Sequence, residues 1–348
     1  MTIALITDQH LDGRKSSQIF WEYFMKFYRE IFFPYLQKNK IKNLIDMGDT
    51  FDNRKGIDLA AWHRIKTEYY DTLESMGITV HMIVGNHTAY YKNTNKINTP
   101  ELLLESYKNI NIYSEVTDIE VEGLKITMLP WVNSENKEKV REHLANTDSR
   151  VVMGHLEING FMAHPGHVFT GGTDASFFHK FDKVFSGHFH HRSEKGNIKY
   201  IGNPYELYWN DYGERRGFSL LNPETLDTEF IQNPYKMFRK IFYNDAKNDY
   251  KVFNVSEYKN SYIKVIVEER SNNRMFEQLV ERLYDIGIHD LKIIEDENFN
   301  FEDDSVGLEC EDTLTTLNRY IEEIESSVNK TELKTIIKSI YVEACEMQ

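Results

Sequence analysis

The chain predicts a mixed α/β, α+β protein: a two-sheet sandwich flanked by helices, then a small α/β subdomain and a C-terminal helical pair. Three observations carry this expectation. Over the first 84 residues, short apolar β-rich runs alternate with amphipathic helical stretches in the order strand, helix, strand, helix, strand. From about residue 125 to residue 231 the apolar runs continue with little helix between them, which calls for a second sheet. Beyond about residue 240 the pattern changes again and ends in purely helical spacing.

Taken in order, Ile3–Thr7 is a strand that ends in Asp8-Gln9-His10. Phe20–Leu36 reads as an aromatic-rich amphipathic helix with Pro34 near its end. The strand Lys42–Met47 leads into Gly48-Asp49-Thr50-Phe51-Asp52, and Leu59–Met76 is a second helix closed by Gly77. Ile78–Val84 then stops in Gly85-Asn86-His87. In the second half, Lys125–Trp131 is a strand ending at Pro130. Val151–Met153 leads into Gly154-His155-Leu156-Glu157, and Lys183–Ser186 leads into Gly187-His188-Phe189-His190-His191. Lys199–Ile201, Gly217–Leu221 and Glu229–Ile231 are further short strands.

The expected division is 1–238 for the main domain, 239–296 for a small capping subdomain, 297–312 for an acidic linker and 313–348 for a helical segment. The subdomain is strand Tyr262–Glu268, helix Met275–Asp285 and strand Asp290–Ile294. Glu295–Asp312 holds nine acids in eighteen residues, a solvated composition. After it, Leu314, Leu317, Ile321 and Ile324 mark one helix. Leu333, Ile336, Ile337, Ile340, Tyr341 and Ala344 mark another at offsets 0, 3, 4, 7, 8 and 11, a clean apolar stripe.

At 348 residues the chain is long for one domain, and 41% apolar content allows a sizeable core. No run of 18 apolar residues and no signal-peptide pattern is present, so neither a membrane span nor export is expected. Cys310 and Cys345 follow no metal-site spacing, and a reducing cytoplasm is the expected compartment. The net charge of −14 argues against nucleic acid only until it is located. Residues 1–240 carry 29 basic and 31 acidic residues, a net of −2, while residues 241–348 carry 12 and 24, a net of −12.

Chemistry concentrates at five strand exits: Asp8-x-His10, Gly48-Asp49, Gly85-Asn86-His87, Gly154-His155 and Gly187-His188-x-His190. Ligands of α/β sheets gather outside the carboxyl ends of the strands. Residues two apart on extended chain share a face, so Asp8 with His10, and His188 with His190, are suited to chelation. Mixed His, Asp and Asn donors suit Mn²⁺, Fe²⁺ or Zn²⁺ better than Ca²⁺. Seven candidate ligands exceed one ion's need, and two ions sharing a bridging carboxylate would perform in-line attack on a phosphoester.

These five blocks, in this order, resemble the calcineurin-like metallophosphoesterase superfamily, and more closely the SbcD-like DNA double-strand-break repair nucleases, phage recombination endonuclease subunits nearest. Gly154-His155-Leu156-Glu157, Tyr200-Ile201-Gly202-Asn203-Pro204 and Arg216-Gly217-Phe218 support the closer likeness. The resemblance implies the metallophosphoesterase sandwich and two Mn²⁺ ions, with Fe²⁺ or Mg²⁺ as alternatives. It places Asp8, His10, Asp49 and His190 on one ion and Asp49, Asn86, His155 and His188 on the other. His87 would touch no metal and would stabilise the transition state or protonate the leaving oxygen. The family's acid after Gly-Asn-His is here Thr88, and Asp52 is expected to give its carboxylate to His87 instead.

The function so implied is a metal-dependent DNA nuclease, a 3′–5′ exonuclease with endonuclease activity. It would work in the bacterial host cytoplasm, if phage-encoded, with an SbcC-like ABC ATPase that binds the C-terminal helices. A homodimer through Phe20–Leu36 and Leu59–Met76 is also implied. The competing readings are a phosphomonoesterase or cyclic-nucleotide phosphodiesterase, and a scaffold weakened by Thr88. Basic pairs at Arg14-Lys15, Arg54-Lys55, Lys92–Lys96 and Arg215-Arg216 are candidates for phosphate contacts or ordinary solvated loops. His191, His164 and His167 are expected outside the ligand set.

Overall fold

In the computed structural model, which describes residues 2–164, 166–295 and 333, two six-stranded sheets pack face to face. The first runs Thr228–Gln232, Gly217–Leu221, Ile3–Ile6, Asn43–Asp46, Thr79–Ile83, Ile110–Tyr113. The second runs Ser193–Lys195, Ile198–Tyr200, Lys183–Gly187, Val151–His155, Leu124–Leu129, Thr117–Val121. Ile3, Leu5, Ile45, Met47 and Ile83 of the first meet Ile126, Met128, Val151, Met153 and Phe185 of the second in one apolar core. Central strands such as Ile3–Ile6 and Val151–His155 are buried along their whole length. That double-sided burial explains why their sequences are continuous apolar runs rather than alternating ones.

Helices cover the outer faces. Gln18–Phe27, a π-type turn at Tyr28–Phe32 and Phe33–Lys38 continue one another, as do Leu59–Arg64, a π-type turn at Ile65–Tyr70 and Asp71–Ser75. Phe24 stacks on Tyr205 with ring centres 4.0 Å apart, Phe32 meets Phe218 edge-on at 4.8 Å, and Tyr28 meets Tyr69 at 4.8 Å. Phe20, Trp21, Phe24, Phe27, Tyr28, Phe32, Tyr69 and Tyr70 are all buried in this chain's own interior. Their abundance therefore reflects helix-on-sheet packing and carries no argument for a dimer surface. Asp58 caps the second helix by accepting from the Ala61 amide, and Gly77 ends it with φ +64°.

Several elements lie outside the sequence expectation. Lys137–Asn146 is a helix that seats only Val140 and Leu144 against the outer face of the second sheet, beside Leu129, Val152 and Val184. Thr99–Leu104 is a short helix, and Ile110–Tyr113 and Thr117–Val121 are strands.

A third sheet of three parallel strands, Phe238–Asn244, Tyr262–Glu269 and Asp290–Ile294, opens one residue before the expected boundary. The helix Asn273–Asp285 crosses between its last two strands, capped by Asn272 and burying Met275, Phe276, Leu279 and Leu283. Ile241, Tyr243, Ile263 and Val265 complete that separate core. All of this belongs to one compact unit formed by Met1–Leu207 with Asp211–Glu297. The acidic linker, both cysteines and the helical pair lie outside the described residues, except that Leu333 is helical. No helix among the described residues is long and apolar enough to cross a membrane.

Candidate metal centre

The parallel neighbours Ile3–Ile6, Asn43–Asp46 and Thr79–Ile83 end side by side, and so do Val151–His155 and Lys183–Gly187 in the facing sheet. The five expected clusters stand at these exits. The loops are closely fitted. A Cβ on Gly85 would come within 2.1 Å of the Asp49 carboxylate, and one on Gly187 within 1.9 Å of the Thr7 hydroxyl. Only a residue without a side chain allows these approaches. Asp8, His10, Asp49 and His188 all hold positive φ, at 50°, 42°, 51° and 83°. Four non-glycine residues in the left-handed region at one site are a concentration of backbone strain.

Three donor groups form. Asp8, His10 and His190 present ligand atoms within 4.8 Å of one another, Asp49, His155 and His188 do the same, and so do His10, Asp52 and His87. In the second group His155 Nε2 is 3.1 Å from Asp49 Oδ2 and 2.8 Å from Asn86 Oδ1, and His188 Nδ1 is 2.9 Å from the same amide oxygen. Four expected ligands of one ion thus converge on a common point. The far nitrogens are held as well. His155 Nδ1 is 2.8 Å from the Met47 carbonyl, and His188 Nε2 is 3.1 Å from Glu157. Such outer contacts fix the tautomer and aim the free lone pair.

Asp52 departs from its expected role. Its carboxylate lies 2.9 Å from His10 Nδ1 but 3.8 Å from His87 Nδ1. His87 is held instead by the Asp52 main-chain carbonyl, which accepts from Nδ1 at 2.8 Å, while its own amide donates to Asp49 Oδ1 at 2.8 Å. The reason is chain direction: the loop after Asp49 passes His87 with its backbone and turns its side chain to the buried imidazole beneath. His87 itself stays partly open, with 43% of its side chain exposed. Thr88 does not touch the imidazole either. It is buried, accepting from the Gly85 amide at 2.9 Å and donating to the Gly85 carbonyl at 3.0 Å. It closes the Gly-Asn-His turn on itself.

The buried acids and imidazoles of the site shift one another strongly. Burial pulls the His10 imidazole down, yet the Asp52 hydrogen bond and the Asp49, Asp52 and Asp8 charges push it up to about 9. His155 also reaches about 9, because Asp49 outweighs burial. Asp49 is held well below the carboxylate range: burial would raise it, but His155, His87 and His10 lower it further. His190 behaves differently, since burial lowers it to about 4. Anionic carboxylates that draw protons onto neighbouring imidazoles are the state a metal replaces.

Residue types alone did not reveal the supports beneath. Gln9 is clamped between Asp8 and His10: its side chain donates to Asp46 at 2.8 Å and accepts from Tyr28 at 2.5 Å, and its carbonyl accepts from Tyr205 at 2.6 Å. Asp46 further accepts from Thr50 at 2.6 Å and from the Gly48 amide at 3.1 Å. Arg216, offered by sequence as a phosphate contact, is buried. It donates to the His190 carbonyl and to Asn203 and pairs with Asp211 at 3.1 Å and Glu214 at 2.8 Å. His191 is engaged by Glu214, outside all three donor groups.

A family model described as calcineurin-like phosphoesterase matches residues 1–192. The chain belongs to the calcineurin-like phosphoesterase family. Across 318 residues, 90% of each chain, it is 34% identical to exonuclease subunit 1 of Enterobacteria phage T4. Two solved structures are similar at 13% identity. A novel archaeal phosphodiesterase has a TM-score of 0.33, covering 67% of this chain and 100% of that one. The calcineurin-like phosphoesterase YfkN from Bacillus subtilis has 0.34, covering 67% and 88%.

The family implies divalent metal, and the residues present fit it. His10 Nε2 is buried with no hydrogen-bond partner among the described residues, although it sits within reach of Asp8 and His190. A buried imidazole nitrogen is not left this way without a partner. As a family member, the chain would hold one ion with Asp8, His10 and His190, and a second with Asn86, His155 and His188. The Asp49 carboxylate is available to the second group and lies near His10.

Proposed function

We propose that the chain is the nuclease subunit of a recombination or repair complex, a phosphodiesterase that hydrolyses DNA as a 3′–5′ exonuclease with endonuclease activity. The observation that carries this reading is the 34% identity to a phage exonuclease subunit over 90% of both chains. That span runs well beyond residues 1–192 of the family match, and so takes in sequence outside the metal-site motifs. Mn²⁺ is the proposed ion at both positions. Two such cations would acidify a water and polarise the phosphodiester for in-line attack.

The chain's own residues supply the rest. Asp8, Asp49 and the four ligand histidines fix the donor geometry before substrate arrives, with Met47, Asp52 and Glu157 holding the far sides of His155, His10 and His188. His87 donates its Nδ1 proton to the Asp52 carbonyl, and in its doubly protonated form the ring gives the second proton, on Nε2, to the leaving oxygen and keeps the one on Nδ1. The unit at 239–296 is proposed to guide DNA, and the segment at 313–348 to bind an SbcC-like ABC ATPase. A homodimer completes the proposed assembly.

The test is digestion of linear duplex DNA with Mn²⁺ by the full chain, beside bis(p-nitrophenyl) phosphate and p-nitrophenyl phosphate. DNA cleavage that is abolished by chelation and by Asp49→Asn is expected. Turnover of the small esters alone would reject the nuclease reading in favour of a small-molecule phosphoesterase.

A further inference from the structure

Beside the second donor cluster lies a cavity of about 670 Å³ between the helix Lys137–Asn146 and the segment Gly172–Phe178. It adjoins the centre, because His155 and Glu157 form part of its wall. Trp131, also in the wall, has its ring centre 5.4 Å from that of His188. We propose that this cavity receives an unpaired nucleobase of the substrate strand, next to the phosphate being hydrolysed. The inference rests on the nuclease reading above and deepens it.

Four features favour a base over other occupants. The volume falls within the range of small-ligand sites, about 300–1,000 Å³. The walls are chiefly apolar and aromatic, with Trp131 and Phe177 providing faces on which a base can stack. Phe177 is 42% exposed and has the Arg141 guanidinium 5.4 Å from its ring centre, so a stacking surface stands open at this wall. Among the described residues the buried Trp131 indole N–H has no acceptor, which leaves a donor for a ring nitrogen or carbonyl of a base.

Charge separates the base from a second phosphate. Lys137 and Arg141 are balanced in the same wall by Glu157 and Asp174, so the cavity suits a neutral aromatic group whose phosphate lies at the metals. Drawing a base from the stack costs least at an unpaired end. A chain that takes such a base prefers frayed or single-stranded termini.

The experiment measures binding to the full-length protein by calorimetry with deoxyadenosine 5′-monophosphate and with base-free deoxyribose 5-phosphate. Phe177→Ala is compared with wild type and with Leu102→Ala, a change of a 71% exposed side chain far along the sequence. Thermal unfolding of each variant checks that it is folded. The nucleotide should bind more tightly than the sugar phosphate. Phe177→Ala should weaken the nucleotide by about 5- to 150-fold, the loss of one base-aromatic contact, and leave the sugar phosphate unaltered. Equal binding of the two ligands, or a nucleotide affinity indifferent to Phe177→Ala, overturns the proposal. Parallel DNA digestion separates the two readings. Cleavage without selective nucleotide binding rejects the cavity assignment alone, while selective binding without cleavage rejects the nuclease and keeps the base site.

Discussion

The carboxylate of Asp52 stands 2.9 Å from Nδ1 of His10. An acid expected to serve the transition state is thereby placed behind a proposed metal ligand. Asp52→Asn should weaken Mn²⁺ binding at the Asp8–His10–His190 position by about 10- to 100-fold, the usual effect of losing such a support. Calorimetric titration should show one of two sites weakened. Full occupancy of both sites with reduced turnover would restore the sequence-based expectation.

His87 makes the opposite prediction. Its Nδ1 is engaged by a backbone carbonyl, and although it stands in a donor group with His10 and Asp52, it belongs to neither of the two proposed ion sites. His87→Gln should leave metal stoichiometry intact and lower turnover of an alkyl-oxygen diester such as DNA by about 10²- to 10⁴-fold. A diester with a nitrophenolate leaving group, which needs no proton, should lose far less. Equal losses on both substrates would show that His87 does not protonate the leaving oxygen.

Thr88 is a stability residue in this structure. Thr88→Val keeps the shape but removes the acceptor of the Gly85 amide and the donor to the Gly85 carbonyl. The expected cost is about 1–3 kcal/mol, the penalty of a buried unpaired group. Urea denaturation measures it, and a change below about 0.5 kcal/mol, the ordinary range for surface substitutions, would contradict the assignment.

Asp46 should impose a pH dependence on the metal-free protein. Burial raises its carboxyl to about 7, against the hydrogen bonds from Thr50, Gly48 and Gln9. The unfolded chain releases the same proton near the ordinary value of about 4. Between those values the folded state binds the extra proton, so this group's contribution is full below about pH 4 and is lost as pH rises toward 7. In chelator, wild type should lose stability relative to Asp46→Asn across that window. Parallel stability curves would remove Asp46 as the source.

The residues that gather at the strand exits were legible because their chemistry is local. Asp8, His10, Asp49, Asn86, His155, His188 and His190 are polar side chains placed where apolar strands end, and the strands themselves are uninterrupted apolar runs. Gln9, Asp46, Glu157 and Arg216 are common residue types whose roles come from neighbours distant in sequence. Tyr205 lies 196 positions from Gln9, and His188 lies far beyond Glu157 in another loop. The helix Lys137–Asn146 escaped notice for a related reason: with only Val140 and Leu144 buried, it carries almost no apolar period. The nearer contact of Asp52, with His10, was missed for a different reason. Spacing showed that the loop reaches His87 but not whether backbone or side chain makes the contact.

The four left-handed backbone positions among the metal-binding loops have a consequence for where the motif can live. Each costs about 1–3 kcal/mol on its own, and Asp8, His10, Asp49 and His188 hold theirs only because two whole sheets press the loops into shape. Short peptides bearing the same letters would relax to ordinary conformations and scatter the donors. The binding site is therefore not portable as a set of motifs, and transplanting it to another scaffold would require carrying the sandwich along with it.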